Sequence, residues 1–302
     1  MKQDRALLCE MLQGRPHSLA CLAMAALLSQ CVPAAGQAPP ATLAPRAILV
    51  DFATDKVLFE KNADQLTAPA SLAKLMTAEV LFSQLKESIS LNDAFTVSEQ
   101  AGRFAQGSTM ALKPGAKVSV RVLLQGMLVI SANNAAVVIA EGLAGSIPRF
   151  SALMNHRARE IGMRRSRFTN PHGFPDPGQH VAMRDMTILA GHLIRTYPEH
   201  YAQFGQLEFT FDEVTQRNRN PLLGLGADGL KTGQTSEAGY ALVASTETHG
   251  RRLILAMNGL RSEADRASEA RKLLEWGFTR SRSTPRESEP VIRRTDPSNK
   301  AP

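Results

Sequence analysis

Ser71 and Lys74 stand three residues apart in Pro69-Ala-Ser-Leu-Ala-Lys-Leu-Met-Thr77, where an apolar, helix-forming run begins. Residues i and i+3 share one helix face. In a first helical turn, free backbone N–H groups and the helix dipole favour developing negative charge. A serine there becomes a nucleophile once a base takes its proton. A lysine one turn on can be that base if burial or a nearby cation lowers its pKa. The same residues also fit a plain helix N-cap beside a solvated lysine. A second Ser-x-x-Lys, Ser83-Gln-Leu-Lys86, falls late in the same run and lacks the Pro-Ala lead-in.

Two further groups follow at wide intervals. Ser131-Ala-Asn133 lies 60 residues after Ser71, at the join of two helix-like runs. A hydroxyl and a carboxamide at i and i+2 can face one cleft from such a turn; an ordinary helix cap fits them too. A decoy, Ser90-Leu-Asn92, sits in a polar turn. Lys231-Thr-Gly233 comes 100 residues after Ser131. On an edge strand Lys231 and Gly233 point to one face. Glycine lets a ligand lie close to the backbone, and a lysine with a threonine hydroxyl suits a carboxylate. Alone, this is also a strand-end lysine and a turn glycine.

The elements that must position these groups are readable in outline. Ala47 to Phe52 and Lys56 to Lys61 read as strands around an Ala-Thr-Asp turn, and Ser71 to Lys86 as a helix. Phe95 to Glu99 reads as a short strand. Val118 to Val129, Ala132 to Leu143, Ile147 to Ile161 and Met183 to Arg195 read as helices. Glu208 to Phe211, Gly229 to Gly233, Tyr240 to Thr246 and Leu253 to Asn258 are strand-like, and Ser262 to Trp276 is an amphipathic helix. The first strands can join the last in one antiparallel sheet with helices packed on it, an α+β arrangement.

Composition bounds the rest. A chain of 302 residues, 43% hydrophobic and 21% charged, supports an ample core. Net charge is +7, but no Lys/Arg stripe carries interleaved aromatics, which argues against nucleic acid. Cys9, Cys21 and Cys31 all fall in the first 31 residues, with early basic residues, an apolar core from Leu19 to Leu28 and a small-residue segment to Ala38. That is the layout of a secretory signal peptide, expected over residues 1–37, leaving a mature chain without cysteine. Residues 38–45 read as a linker and 281–302 as a disordered polar tail. No His-Glu-x-x-His or similar cluster suggests a metal, and no cofactor is expected.

In combination, Ser-x-x-Lys, Ser-x-Asn and Lys-Thr-Gly form the triple of penicillin-binding proteins and class A β-lactamases, with Ala132 where the middle motif often has Asp. The chain resembles the low-molecular-weight penicillin-binding proteins, specifically serine-type D-alanyl-D-alanine carboxypeptidases, from about Arg46 to Phe278. The resemblance also rests on Ile130-Ser-Ala-Asn-Asn134, Asn170-Pro-His-Gly173, Asn218-Arg-Asn220, Asp228-Gly-Leu-Lys-Thr-Gly233, Ala238-Gly-Tyr240 and Arg271-Lys-Leu-Leu-Glu-Trp-Gly-Phe278. It implies a β-lactamase/transpeptidase-like fold, an antiparallel sheet with flanking helices plus a mainly helical subdomain, over residues 46–280.

The resemblance further implies acyl transfer. Ser71 attacks the bond between two D-alanines, Lys74 is the general base and Ser131 relays the proton. Asn133 binds the substrate amide. Backbone N–H groups of Ser71 and Gln234 form the oxyanion hole, Lys231 and Thr232 meet the terminal carboxylate, and Gly233 lets the substrate lie close to the backbone. Arg266 orients that carboxylate, with Arg219 a second candidate. Gln234 stands where relatives often carry histidine, so side-chain contacts there differ. The implied partners are peptidoglycan stem peptides, with β-lactams as covalent inhibitors, in the periplasm. No stable membrane anchor is evident: the chain runs 24 residues past Phe278 as a polar tail. The alternatives are a D,D-endopeptidase of cross-links, a non-catalytic binder of wall peptides or β-lactams, and a β-lactamase, the last disfavoured because no Glu-x-x-Leu-Asn loop is present.

Overall fold

The computed structural model of the chain describes residues 38–85 and 87–280. The expected signal peptide, its three cysteines and the polar tail lie outside the described residues.

Among the described residues, nine strands and eight α-helices follow in order: β1 (Arg46–Asp51), β2 (Val57–Lys61), α1 (Ala73–Leu85), β3 (Ala94–Thr96), α2 (Glu99–Gly102), β4 (Lys117–Ser119), α3 (Val120–Val129), α4 (Asn133–Ala144), α5 (Ile147–Glu160), α6 (Met183–Thr196), α7 (Pro198–Tyr201), β5 (Glu208–Phe211), β6 (Val214–Arg217), β7 (Ala227–Thr235), β8 (Gly239–Thr248), β9 (Arg251–Leu260) and α8 (Glu263–Thr279). The main sheet is antiparallel, in the order β2-β1-β9-β8-β7. The opening strands therefore do pair with the closing ones, as the sequence suggests, and β7 is left at the edge.

Strict alternation splits the sheet between two cores. Ile48, Val50, Ala241, Val243, Ile254 and Ala256 face a large cluster with α1 and α3–α6. Their neighbours Leu49, Leu242, Ala244, Leu253, Leu255 and Met257 face the other way, against Ala270, Leu273, Leu274 and Trp276 of α8. Helix starts follow local chemistry: Ser119, Ser146 and Ser262 each accept an N–H from three residues on. The tight β8–β9 turn places His249 and Gly250 at positive φ.

Some boundaries differ from expectation. Val118 and Ser119 belong to β4, paired with β3, rather than to the following helix. The hairpin partner of β5 is β6, whose four residues are all exposed and show no alternation. Residues 42–45 are tied to the body: Leu43 N–H donates to Glu269, and Thr42 and Pro45 carbonyls accept from Lys61 and Asn62. Among the described residues, no single helix is long and apolar enough to cross a membrane.

Candidate active site

Ser71 enters α1 through a 3-10 turn, Ala70–Leu72, so the helix proper starts two residues later than the sequence pattern suggests. Ala70 sits at φ +48°. Its carbonyl presses on Gly173, where an added Cβ would lie 1.7 Å from Ala70 O at a φ of +89°. Only glycine fits there. Gly233 on β7 approaches from the other side; a Cβ there would be 3.1 Å from Ala70 Cβ and 3.3 Å from Ser71 N. The Ser71 turn is therefore clamped between a loop and the edge strand.

Lys74 is fully buried. Its Nζ is 2.9 Å from Ser71 Oγ, 2.6 Å from Asn133 Oδ1 and 2.8 Å from the His172 carbonyl. Burial, then the charges of Lys231 and Arg219, hold it well below the usual lysine value. A neutral amine has two N–H donors and one lone pair. Asn133 Oδ1 and His172 O can only accept, so they take the two donors. The lone pair is left for the Ser71 hydroxyl proton.

The His172 carbonyl is held by a pinned loop. Thr77 on α1 donates to Pro171 O, Gly173 N–H to Asn170 Oδ1, and Gln179 bonds the backbone at Thr169, Asn170 and Phe174. The His172 ring packs against Phe104 and Phe174. Burial and Lys74 push its pKa down to about 3, so it stays neutral. Its contribution is a backbone acceptor.

Ser131 and Asn133 occupy the sharp join of α3 and α4. Ser131 has φ +63° and is 4% exposed, and its Oγ has no protein partner. A buried hydroxyl left free at a cavity wall is available to a ligand. Asn133 accepts from Lys74 and donates to Gln106 O. Asn134 brackets Met110, accepting from its N–H and donating to its carbonyl. The 106–110 loop thereby forms the facing wall. The decoy motifs are spent locally: Ser83 bonds Val80 O, and Ser90 caps its own turn.

β7 supplies the opposite wall with Thr232, Gly233 and Gln234; Lys231 is buried beneath it. Arg219 and Arg266 close the far end. Burial lowers both arginines' pKa values, and burial, Arg219 and Arg266 bring Lys231 down to about 7. These three cations converge on a cavity of about 240 Å³ with one acidic neighbour in its lining, Glu263. Such a cluster is short of negative charge, which an incoming carboxylate supplies.

This cluster has a consequence for stability. Unfolded Lys231 titrates near 10.5 and folded Lys231 near 7. Between those values the unfolded chain binds the extra proton, so stability rises with pH by at most about 1.4 kcal/mol per unit. Urea unfolding at intervals across that window should show wild type gaining on Lys231→Met. A constant gap would mean the folded lysine keeps its proton.

Eight of the ten residues singled out from sequence line this one cavity; Lys74 and Lys231 lie beneath it at 0% and 1% exposure. Sequence reasoning missed the role of the His172 carbonyl and Glu263. A loop carbonyl carries no side-chain signal, so only the fold could reveal it. Among the described residues, no group of three or more His, Cys, Asp or Glu could hold a metal ion.

The fold is that of the penicillin-binding proteins. Penicillin-binding protein 5 from Haemophilus influenzae aligns with a TM-score of 0.78 at 41% identity, covering 80% of this chain and 73% of that one. Penicillin-binding protein D2 from Listeria monocytogenes, in its ampicillin-bound form, aligns with a TM-score of 0.69 at 31% identity, covering 80% of this chain and all of that one. A family profile described as D-alanyl-D-alanine carboxypeptidase, peptidase S11, matches residues 34–261. The chain belongs to that family. It is 41% identical over 250 residues to the D-alanyl-D-alanine carboxypeptidase DacA of Haemophilus influenzae, covering 80% of this chain and 64% of that protein.

Proposed function

We propose that the protein is a serine-type D,D-carboxypeptidase that removes the terminal D-alanine from peptidoglycan stem pentapeptides. The observation that carries this is the Lys74 amine, whose two donors are taken by fixed acceptors while its lone pair faces Ser71. Ser71 Oγ attacks the carbonyl between the two D-alanines as its proton passes to Lys74 Nζ. The resulting oxyanion is held by the backbone N–H groups of Ser71 and Gln234. The C–N bond then breaks, and the departing amine receives the proton through Ser131. Water completes the cycle by hydrolysing the Ser71 ester.

Lys231, Thr232, Arg219 and Arg266 receive the carboxylate of the departing residue, with Gly233 letting the peptide lie close to β7. Asn133 keeps one amide hydrogen for the substrate after its bond to Gln106. A β-lactam carries the same carboxylate beside a strained amide, so it acylates Ser71 and is released slowly. The relative's ampicillin-bound form supports this reading. The signal-like start of the chain and its bacterial relatives support a periplasmic location.

The test is direct. The purified protein is treated with a fluorescent penicillin and mapped by mass spectrometry, and a diacetyl-Lys-D-Ala-D-Ala peptide is assayed for free D-alanine. Label on the Ser71 peptide together with D-alanine release is expected. Label without release, but with cleavage of cross-linked dimers, would replace this reading by an endopeptidase.

A further inference from the structure

Arg266 is a cation with unusually little holding it. It is 3% exposed, and its Nε has no protein partner. One ion pair is present, Nη2 to Glu263 Oε1 at 3.4 Å, and the Glu263 side chain is 75% exposed. A contact that long to a solvated carboxylate fixes a guanidinium poorly. The other neighbour is an aromatic face: the Arg266 guanidinium carbon lies 5.6 Å from the Tyr240 ring centroid.

The backbone presents that ring deliberately. Tyr240 opposes Gln234 on β7 and Leu260 on β9. Between Tyr240 and Leu242 the β8–β9 register slips by one residue, with Gly259 at φ +84° carrying the extra position. Such bulges bend a strand and re-aim a side chain. Gly239, at φ +65°, packs so tightly on the bulge that a Cβ would lie 2.9 Å from Gly259 Cα. Tyr240 thus packs against the α8-side core and still lines the catalytic cavity.

We propose that Tyr240 is the positioning residue for Arg266, its ring face holding the guanidinium toward the carboxylate of the ligand. This rests on the carboxylate-binding part of the function proposed above. Tyr240 touches no reacting atom. Its effect is therefore confined to ligands that carry the carboxylate, and it vanishes when Arg266 is gone.

The experiment measures the second-order rate of acylation by benzylpenicillin and by its methyl ester, which lacks the free carboxylate. The full-length protein is compared with Tyr240→Leu, Tyr240→Phe, Arg266→Gln and the double variant Tyr240→Leu/Arg266→Gln, each checked for folding by thermal melting. Tyr240→Leu should lose about tenfold with benzylpenicillin, the scale of a desolvated cation–π contact, and less than about twofold with the ester. Tyr240→Phe, which keeps the ring, should recover most of the rate. Adding Tyr240→Leu to Arg266→Gln should cost nothing further. Wild-type rates for Tyr240→Leu, or equal losses with acid and ester, overturn the positioning role alone. A wild-type protein that neither ligand acylates overturns the functional reading and this proposal together.

Discussion

Lys74→Met slows acylation of Ser71 by roughly a thousandfold, the middle of the range for losing a general base, while the protein stays folded. Methionine is close in length and apolar, so it fills the same buried space. It also removes an amine whose charged form is disfavoured by burial and by Lys231 and Arg219. The loss is therefore chemical. Asn133 Oδ1 and His172 O lose a donor, a cost that appears in the melting temperature and not in the ligand dependence. Ser71→Ala behaves differently. It leaves the Lys74 cluster intact and gives no covalent adduct at any penicillin concentration. Stopped-flow acylation and intact-mass measurement separate the two variants. If Lys74→Met acylated at the wild-type rate, the base would have to be another group.

Glu79→Ala lowers stability by about 3 kcal/mol, the lower end of the range for breaking a buried pair from one side. Glu79 sits on α1, the same helix as Lys74, and is fully buried. Arg157 donates to it from Nε at 3.1 Å and Nη2 at 2.6 Å, Tyr197 hydroxyl from 3.3 Å, and His192 Nε2 stands 3.4 Å away. Arg157 is 28% exposed and also meets Glu160, which keeps the cost from being larger. The double variant Glu79→Leu/Arg157→Met should lose less than Glu79→Leu alone, because it leaves no unpaired cation. Burial pushes the Glu79 carboxyl up, but the His192 imidazole beside it and the hydrogen bonds and charge of Arg157 outweigh it, leaving it below 4.5. Its stabilisation is thus present above about pH 4.5 and is lost as pH falls through the folded value. Urea titrations of wild type and Glu79→Ala should converge in acid; a constant gap would mean that the carboxylate contributes no linked stability.

The two variants report on different jobs of one helix. Lys74 faces the cavity with Ser71 one turn before it. Glu79 anchors the buried side of α1 to α5 and α6 through Arg157 and His192. Loosening that anchor is expected to reach the site only through the position of Lys74.

Much of the scaffold is legible in the residues themselves. Short continuous apolar runs in Leu253 to Met257 and Tyr240 to Ala244 mark strands buried on both faces. The helices read from Ile147 and from Ser262 begin within one residue of those positions. What failed was short or unpatterned. β4 has three residues and runs straight into α3, so its apolar Val118 reads as helix. β6 is exposed at every position, and exposed strands carry no periodic signal.

Sequence alone determined which side chains could do this chemistry: Ser71 with Lys74 by helical spacing, Ser131 with Asn133 by a turn, Lys231 with Gly233 by strand alternation. Those are local periodicities, and local backbone geometry obeys them. It could not decide that the three pairs share one cavity, because that depends on the order β2-β1-β9-β8-β7 and on the loop packed against Ala70. Nor could it decide the protonation of Lys74 and Lys231. Burial and neighbouring charge set those values, and both exist only once the chain has closed around them.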